Sequence, residues 1–235
     1  MQNRRSVVEP IKELDKIEIE ECGEPLVEIG ETCPNVLIST EGLPPSPPDP
    51  EATSPPRQLY CRKTVANMLN QAQGHLPNGY RLLIASAFRS VEQQYQIYER
   101  VLNNFKEKHP EWPYSQLRKA TNRFVAPPDT KSPPPHSTGG AIDLGIVDEF
   151  RTLLDMTSPY SPFDMEQAQK VADTYSNKIS ERAKSNRQLL IDVMTAAGFT
   201  NYAAEWWHWS YGDSGWAWRL GKRAAIYGIA ELQEE

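Results

Sequence analysis

Residues 133–147 have the sequence PPPHSTGGAIDLGIV, which combines a predicted strand with two candidate metal ligands. The strand is predicted over residues 141–147, where apolar side chains alternate on one face. Asp143 lies on the opposite face, and a carboxylate inside an apolar strand is costly unless it is paired or bound to a cation. The glycines at 139 and 140 allow the chain to turn, so that His136 can converge with Asp143.

A second candidate segment is EWWHWSY, residues 205–211. Its four aromatic residues favour a strand, which places Glu205 at an irregular start, because residues three apart do not share a face of a regular strand. Together, His136, Asp143 and His208 would leave the fourth position of a tetrahedral Zn²⁺ open to water, and a nearby free carboxylate could take a proton from that water. Spacing alone supports ordinary structural roles about equally well. In that interpretation His136 is a loop residue and Asp143 lies in a turn. Glu205 and His208 are then polar residues of an edge strand.

The rest of the chain predicts helices between short, irregularly spaced strands. Cys61, Val65, Met68 and Ala72 share one face of a helix that Gly74 ends, and residues 82–88 form a buried strand. Ser90 begins a further helix with a capping box, and residues 179–197 form a late helix. No GxGxxG follows a strand, so we predict an α+β fold rather than a doubly wound sheet.

Composition excludes several classes of protein. The 235 residues carry 25 Lys and Arg against 31 Asp and Glu, a formal net charge of −6. Nucleic-acid and membrane-surface binding need clustered basic residues, so neither partner is expected. No apolar run approaches the ~20 residues of a membrane span, and no secretory signal is seen, which predicts a cytoplasmic location. Three cysteines without CxxC spacing do not indicate a disulfide framework.

Two parts are expected in the chain. Residues 1–57 form an acidic and proline-rich extension, and residues 58–235 form the catalytic domain. Residues 9–31 contain nine acidic residues and two lysines, which predicts a poorly packed segment. Residues 44–56 contain seven prolines and are predicted to be an extended spacer, with an SH3-type ligand as the alternative.

The two motif segments resemble a known family. PHSTGGAIDL followed by EWWHW is similar to the SxHxxGxAxD and ExxH motifs of zinc D-alanyl-D-alanine dipeptidases, which are related to metallo D,D-carboxypeptidases and the hedgehog-like zinc fold. Further similarity extends over about residues 58–220, including Phe88-Arg89-Ser90. The resemblance implies a small mixed or antiparallel sheet flanked by helices.

The resemblance also implies roles for individual residues. His136, Asp143 and His208 would bind one Zn²⁺ per chain, and Glu205 would be the catalytic base. Arg89 would stabilise the oxyanion of the tetrahedral intermediate, for which a surface arginine ending a strand is the alternative interpretation.

Two positions concern the substrate. Asp164 would bind the substrate ammonium group, with a helix N-cap as its alternative role. The family serine two residues before the first histidine is Pro134 here, so its task would pass to another group such as Ser132 or Ser137.

The resulting functional prediction is zinc-dependent hydrolysis of D-alanyl-D-alanine or a close D,D-dipeptide, with this small dipeptide as the partner. The alternatives are a D,D-carboxypeptidase acting on peptidoglycan stem peptides, a non-catalytic zinc-binding module, and a proline-rich adaptor acting through residues 44–56. Trp206 favours the dipeptidase, because a bulky residue at that position is expected to narrow the cavity. The oligomeric state is not indicated.

Overall fold

The computed structural model describes residues 8–40, 57–157 and 171–232. The predicted spacer at residues 44–56 and Asp164 lie outside these ranges. The described strands are β1 (Glu18–Ile19), β2 (Leu26–Glu28), β3 (Leu37–Ile38), β4 (Tyr60–Arg62), β5 (Arg81–Ser86), β6 (Ala141–Val147), β7 (Thr200–Asn201), β8 (His208–Ser210) and β9 (Ala224–Ala225). The described α-helices are α1 (Ile11–Leu14), α2 (Ile29–Thr32), α3 (Lys63–His75), α4 (Val91–Lys108), α5 (Tyr114–Thr121), α6 (Glu181–Ala196) and α7 (Ser214–Leu220).

A five-stranded sheet with the order β3-β5-β6-β8-β7 forms the centre of the fold. β3 pairs with β5 in parallel, and the other neighbours pair antiparallel, so the sheet is mixed. This arrangement, with helices around it, confirms the predicted α+β class. β6 has the predicted bounds, and all seven of its residues are buried, which places it in the middle of the sheet.

The helices follow local sequence signals. Ser90 accepts a hydrogen bond from the Gln93 backbone while the Gln93 side chain bonds the Ser90 backbone, which confirms the predicted capping box of α4. α3 begins after Cys61, which belongs to β4, and it continues through Gly74 for one more residue. α3 packs against α6, and both contribute buried side chains to the main core. None of the described helices is long and apolar enough to cross a membrane.

Most side chains of the acidic segment, residues 9–31, are exposed or half-buried, but Glu9 and Ile29 are buried, so the expectation of poor packing fails at these two points. Ile29, Cys33 and Val36 belong to the main core, while β2 pairs with β4 and β3 extends the central sheet. The acidic composition did not indicate these attachments, because several carboxylates of the segment pair with arginines from distant parts of the chain. One such pair joins the buried Glu9 and Arg219 side chains. The predicted boundary between the N-terminal extension and the catalytic domain, near residue 57, stays a prediction.

Candidate active site

The pairing of β6 with β8 brings the two sequence motifs together. Asp143 on β6 lies directly opposite His208 on β8. His136 sits in a 3-10 turn, Pro135–Thr138, which ends at Gly139 with a φ of 72°. This left-handed conformation favours glycine, and it returns the chain to β6 so that His136 reaches the same point as Asp143.

His136, Asp143 and His208 form a buried cluster whose ligand atoms all lie within 4.8 Å of one another. Nε2 of His136 lies 3.2 Å from Oδ2 of Asp143, and Nδ1 of His208 lies 3.0 Å from Oδ1 of Asp143. Two imidazoles and one carboxylate form a donor set that suits Zn²⁺. The structure therefore unites the three residues predicted as ligands, and their chemistry fits a metal ion.

A second layer of contacts orients the first histidine. Nδ1 of His136 donates a hydrogen bond to the carbonyl of Ala87 at 2.7 Å. This bond selects the tautomer in which Nε2 presents its lone pair toward Asp143, an arrangement common around metal-binding histidines. Burial, together with the charge of Arg89, also lowers the pKa of His136, which favours the neutral imidazole that binds a metal.

The charges of the cluster favour an ionised carboxylate. Burial acts to raise the pKa of Asp143, but the two histidines beside it outweigh that effect and hold its pKa well below the usual range. Burial likewise acts to lower the pKa of His208, but the hydrogen bond and charge of Asp143 outweigh it and raise the pKa. Asp143 is therefore an anionic centre between two imidazoles, as a cation site requires.

Glu205 occupies the turn that leads into β8, as the predicted irregular start requires. Its backbone N–H donates to the carbonyl of Tyr202 at 2.9 Å, and the Asn201 side-chain amide donates to the carbonyls of Glu205 and His208. The amide of Asn201 thus holds the predicted base and His208, a predicted ligand, in one rigid turn. Burial raises the pKa of Glu205 to about 7, and the charge of Asp143 acts in the same direction.

Arg89 lies beside the cluster rather than on an open surface. Nε and Nη2 of Arg89 donate to Oγ of Ser86 at 3.0 and 2.8 Å, and Nη2 also donates to Oδ2 of Asp143 at 3.0 Å. Ser86 is itself paired with Asp143 across β5 and β6. These contacts use two of the three guanidinium nitrogens, and no described residue accepts a hydrogen bond from Nη1, so Nη1 can serve a ligand.

A cavity of about 580 Å³ opens over the cluster. It is lined by all five predicted residues that the structure describes, namely Arg89, His136, Asp143, Glu205 and His208. Pro134 and Ser132 also line it, whereas Ser137 is buried and its Oγ has no hydrogen-bond partner among the described residues.

Aromatic residues of the second motif divide between cavity and core. Trp207 lines the cavity, but Trp206 is buried in the core, where its ring lies 5.5 Å from the guanidinium of Arg187. The expectation that Trp206 narrows the cavity is therefore wrong. Tyr202 and Arg123 also line the cavity, and no sequence motif marked either of them.

Comparison with known proteins gives matches over most of the chain. A family described as D-ala-D-ala dipeptidase matches residues 51–225. A D-alanyl-D-alanine dipeptidase from Synechocystis sp. is 27% identical over 251 aligned positions, covering 94% of this chain and 98% of that protein. A D-alanyl-D-alanine dipeptidase from Escherichia coli is 36% identical over 73 residues, which are 31% of this chain and 35% of that protein.

Similar solved structures include two vancomycin resistance enzymes. A mutant of the D,D-pentapeptidase VanY in complex with Zn(II) is 17% identical with a TM-score of 0.42, covering 70% of this chain and 81% of that chain. The D,D-dipeptidase VanXYg in complex with a D-Ala-D-Ala phosphinate analog is 21% identical with a TM-score of 0.33, covering 83% of this chain and 71% of that chain.

Proposed function

Because this chain belongs to the D-ala-D-ala dipeptidase family of metallopeptidases, we propose that it hydrolyses D-alanyl-D-alanine or a close D,D-dipeptide. One observation carries the proposal: the buried His136–Asp143–His208 cluster shares its cavity with a carboxylate, Glu205, and a guanidinium, Arg89. These are a ligand set, a base and an oxyanion donor, the groups that metal-assisted peptide hydrolysis needs.

One zinc ion per chain is the proposed cofactor, held by His136, Asp143 and His208. When bound, zinc supplies Lewis-acid polarisation of the scissile carbonyl and lowers the pKa of a water molecule. The hydrogen bond from His136 to the Ala87 carbonyl orients one ligand, and the β6–β8 pairing orients the other two. The protein thus supplies a preformed site with little freedom to rearrange.

Glu205 is the proposed general base and acid. Its carboxylate accepts a proton from the attacking water and then donates that proton to the leaving amine. A carboxyl group with a pKa near neutrality suits both transfers, since it is neither a very weak base nor a very weak acid at pH 7. The turn fixed by Asn201 keeps this group in place next to His208.

Arg89 is the proposed donor to the oxygen that becomes negatively charged in the transition state. Ser86 and Asp143 hold its Nε and Nη2, which fixes the plane of the guanidinium before substrate arrives. A donor that is already oriented stabilises developing charge without reorganising during the reaction.

Two proposals concern the rest of the substrate. Asp164 remains the predicted partner of the ammonium group, outside the described residues. Since proline replaces the family serine at position 134, Ser132 is the better candidate for its task, because Ser132 lines the cavity and Ser137 is not part of that wall.

The test of these roles is the variant Glu205→Gln, which keeps the shape of the side chain and removes the base. Turnover of D-alanyl-D-alanine should fall by roughly 10²–10⁴-fold, while zinc content, measured by atomic absorption, stays at one ion per chain. Glu181→Gln is the matched control, because the Glu181 side chain is 88% exposed on α6 and outside the cavity. Full activity in the Glu205 variant would contradict the assigned base.

A cytoplasmic location is also proposed. All three cysteines are unpaired, and Cys22 is exposed, which suits a reducing compartment. Fractionation of the source cells tests this location. We expect the protein in the soluble cytoplasmic fraction, and its presence in the membrane or external fraction would contradict the proposal.

A further inference from the structure

Tyr202 is held rigidly at the wall of the active-site cavity, but the catalytic steps above do not use its side chain. Its backbone N–H donates to the carbonyl of His208 at 3.0 Å, and its carbonyl accepts from Glu205. The Tyr202 ring lies edge-on to the His208 ring, with 5.9 Å between centroids and 80° between planes. The phenol is therefore fixed next to a proposed zinc ligand.

The hydroxyl of Tyr202 is available to a ligand. Among the described residues, no group forms a hydrogen bond with it. The ring is half-buried, and the residue lines the cavity. Phenol groups usually satisfy their hydroxyl when they are buried, so an unbonded hydroxyl on a cavity wall is a candidate contact for substrate.

Arg123 provides a positive charge on the same cavity wall. It follows α5, its side chain is exposed, and its charge acts on the Tyr202 phenol. Of the arginines on the described cavity wall, Arg89 pairs with Asp143 and Arg219 with Glu9. The Arg123 guanidinium forms neither a hydrogen bond nor an ion pair with any described residue, so none of the described carboxylates neutralises its charge.

The chemistry of a dipeptide requires such a pair of groups close to the metal cluster. The α-carbons on either side of the scissile bond are about 3.8 Å apart, so the C-terminal carboxylate must lie next to the reacting carbonyl. That carboxylate loses water when it enters the cavity, and a desolvated anion needs hydrogen-bond donors or a positive charge beside it. The Tyr202 hydroxyl and the Arg123 guanidinium are groups of that kind on the cavity wall.

We propose that the Tyr202 hydroxyl and the Arg123 guanidinium bind the C-terminal carboxylate of the dipeptide substrate. This inference rests on the proposed function. It names the residues that restrict hydrolysis to peptides with a free carboxylate one residue after the scissile bond. Neither residue takes part in proton transfer, so their contribution is to substrate binding and to specificity.

The experiment compares D-alanyl-D-alanine with its C-terminal amide, using the zinc-loaded full chain and the variants Tyr202→Phe and Arg123→Gln. Tyr202→Phe removes the hydroxyl but keeps the ring that packs on His208. KM for the dipeptide should rise by roughly tenfold or more in each variant, the usual cost of losing a hydrogen bond to a charged group. We expect kcat to stay within about twofold and the kinetic constants for the amide to stay unchanged, so that discrimination between acid and amide falls.

Matched controls are Tyr175→Phe and Arg100→Gln, since both side chains are exposed and outside the cavity wall. Unchanged KM in both cavity variants would overturn the inference, and so would an equal loss for acid and amide. A fall in kcat with unchanged KM would place the groups in the chemical step and would also overturn it. If the unaltered chain hydrolyses neither compound, the proposed function fails, and the inference fails with it.

Discussion

Replacing Glu9 by alanine should destabilise the whole protein, although this residue lies near the start of the chain. The side chains of Arg219 and Glu9 form an ion pair in which only 3% and 2% of their surfaces are exposed. Arg219 also donates to Oγ1 of Thr200 at 2.9 Å and to Oγ of Ser210 at 2.6 Å. Neutral hydroxyls cannot compensate the guanidinium charge, so loss of Glu9 leaves a buried, unpaired cation.

The magnitude follows from the burial of the pair. Removing one partner of a buried ion pair typically costs about 3–5 kcal/mol. For a chain of this size, about 2–4 °C of melting temperature corresponds to each kcal/mol, so the fall in Tm should be roughly 6–20 °C. Urea unfolding followed by circular dichroism measures the free energy of unfolding directly.

The matched control is Glu13→Ala, which breaks an exposed pair with Lys16 on the same segment. An exposed pair contributes at most about 1 kcal/mol, so this variant should unfold almost as the parent does. If Glu9→Ala loses no more stability than Glu13→Ala, the pair of Glu9 with Arg219 does not stabilise the fold, which would contradict the burial of both side chains.

Three further predictions concern the metal site and its support. His208→Ala should lose bound zinc, which metal analysis after dialysis measures. Gly140→Ala should lower the free energy of unfolding by roughly 1–3 kcal/mol and weaken zinc binding, because the added Cβ would lie 2.3 Å from the Tyr211 carbonyl oxygen. Gly74→Ala is the control and should be tolerated, because its Cβ would have no neighbouring atom within 4 Å. Burial acts to raise the pKa of Glu24, but hydrogen bonds outweigh burial and lower the pKa below its ordinary 4.5. The ionised form of Glu24 therefore stabilises the fold above that pH, and this contribution is lost on acidification. Glu24→Gln should therefore make acid unfolding curves less steep below about pH 4.5.

The elements that local signals specify were predicted well. β6 has the expected bounds because a short apolar run ends on both sides at residues of different character. The N-terminus of α4 is also as expected, since Ser90 and Gln93 form their capping box within a single turn. The convergence of His136 with Asp143 followed from the glycine pair, whose conformational freedom is a local property.

Contacts between distant parts of the chain could not be predicted in the same way. Glu9 and Arg219 are 210 positions apart, and no local pattern indicates that they meet. The parallel pairing of β3 with β5 has the same character, because Leu37 pairs with Leu83 and Ile38 with Ile84, which lie far along the chain. Tyr202 reached the cavity wall through a backbone turn, which sequence periodicity does not encode.

The most direct test of the central claim is a hydrolysis assay of the zinc-loaded chain on three substrates: D-alanyl-D-alanine, L-alanyl-L-alanine and a pentapeptide ending in D-alanyl-D-alanine. We expect the free D,D-dipeptide to be cleaved far faster than the other two, with activity lost in a chelator and restored by zinc. Preference for the pentapeptide would indicate a D,D-carboxypeptidase instead. Preference for the L,L-dipeptide, or activity that a chelator does not affect, would contradict a zinc D,D-dipeptidase.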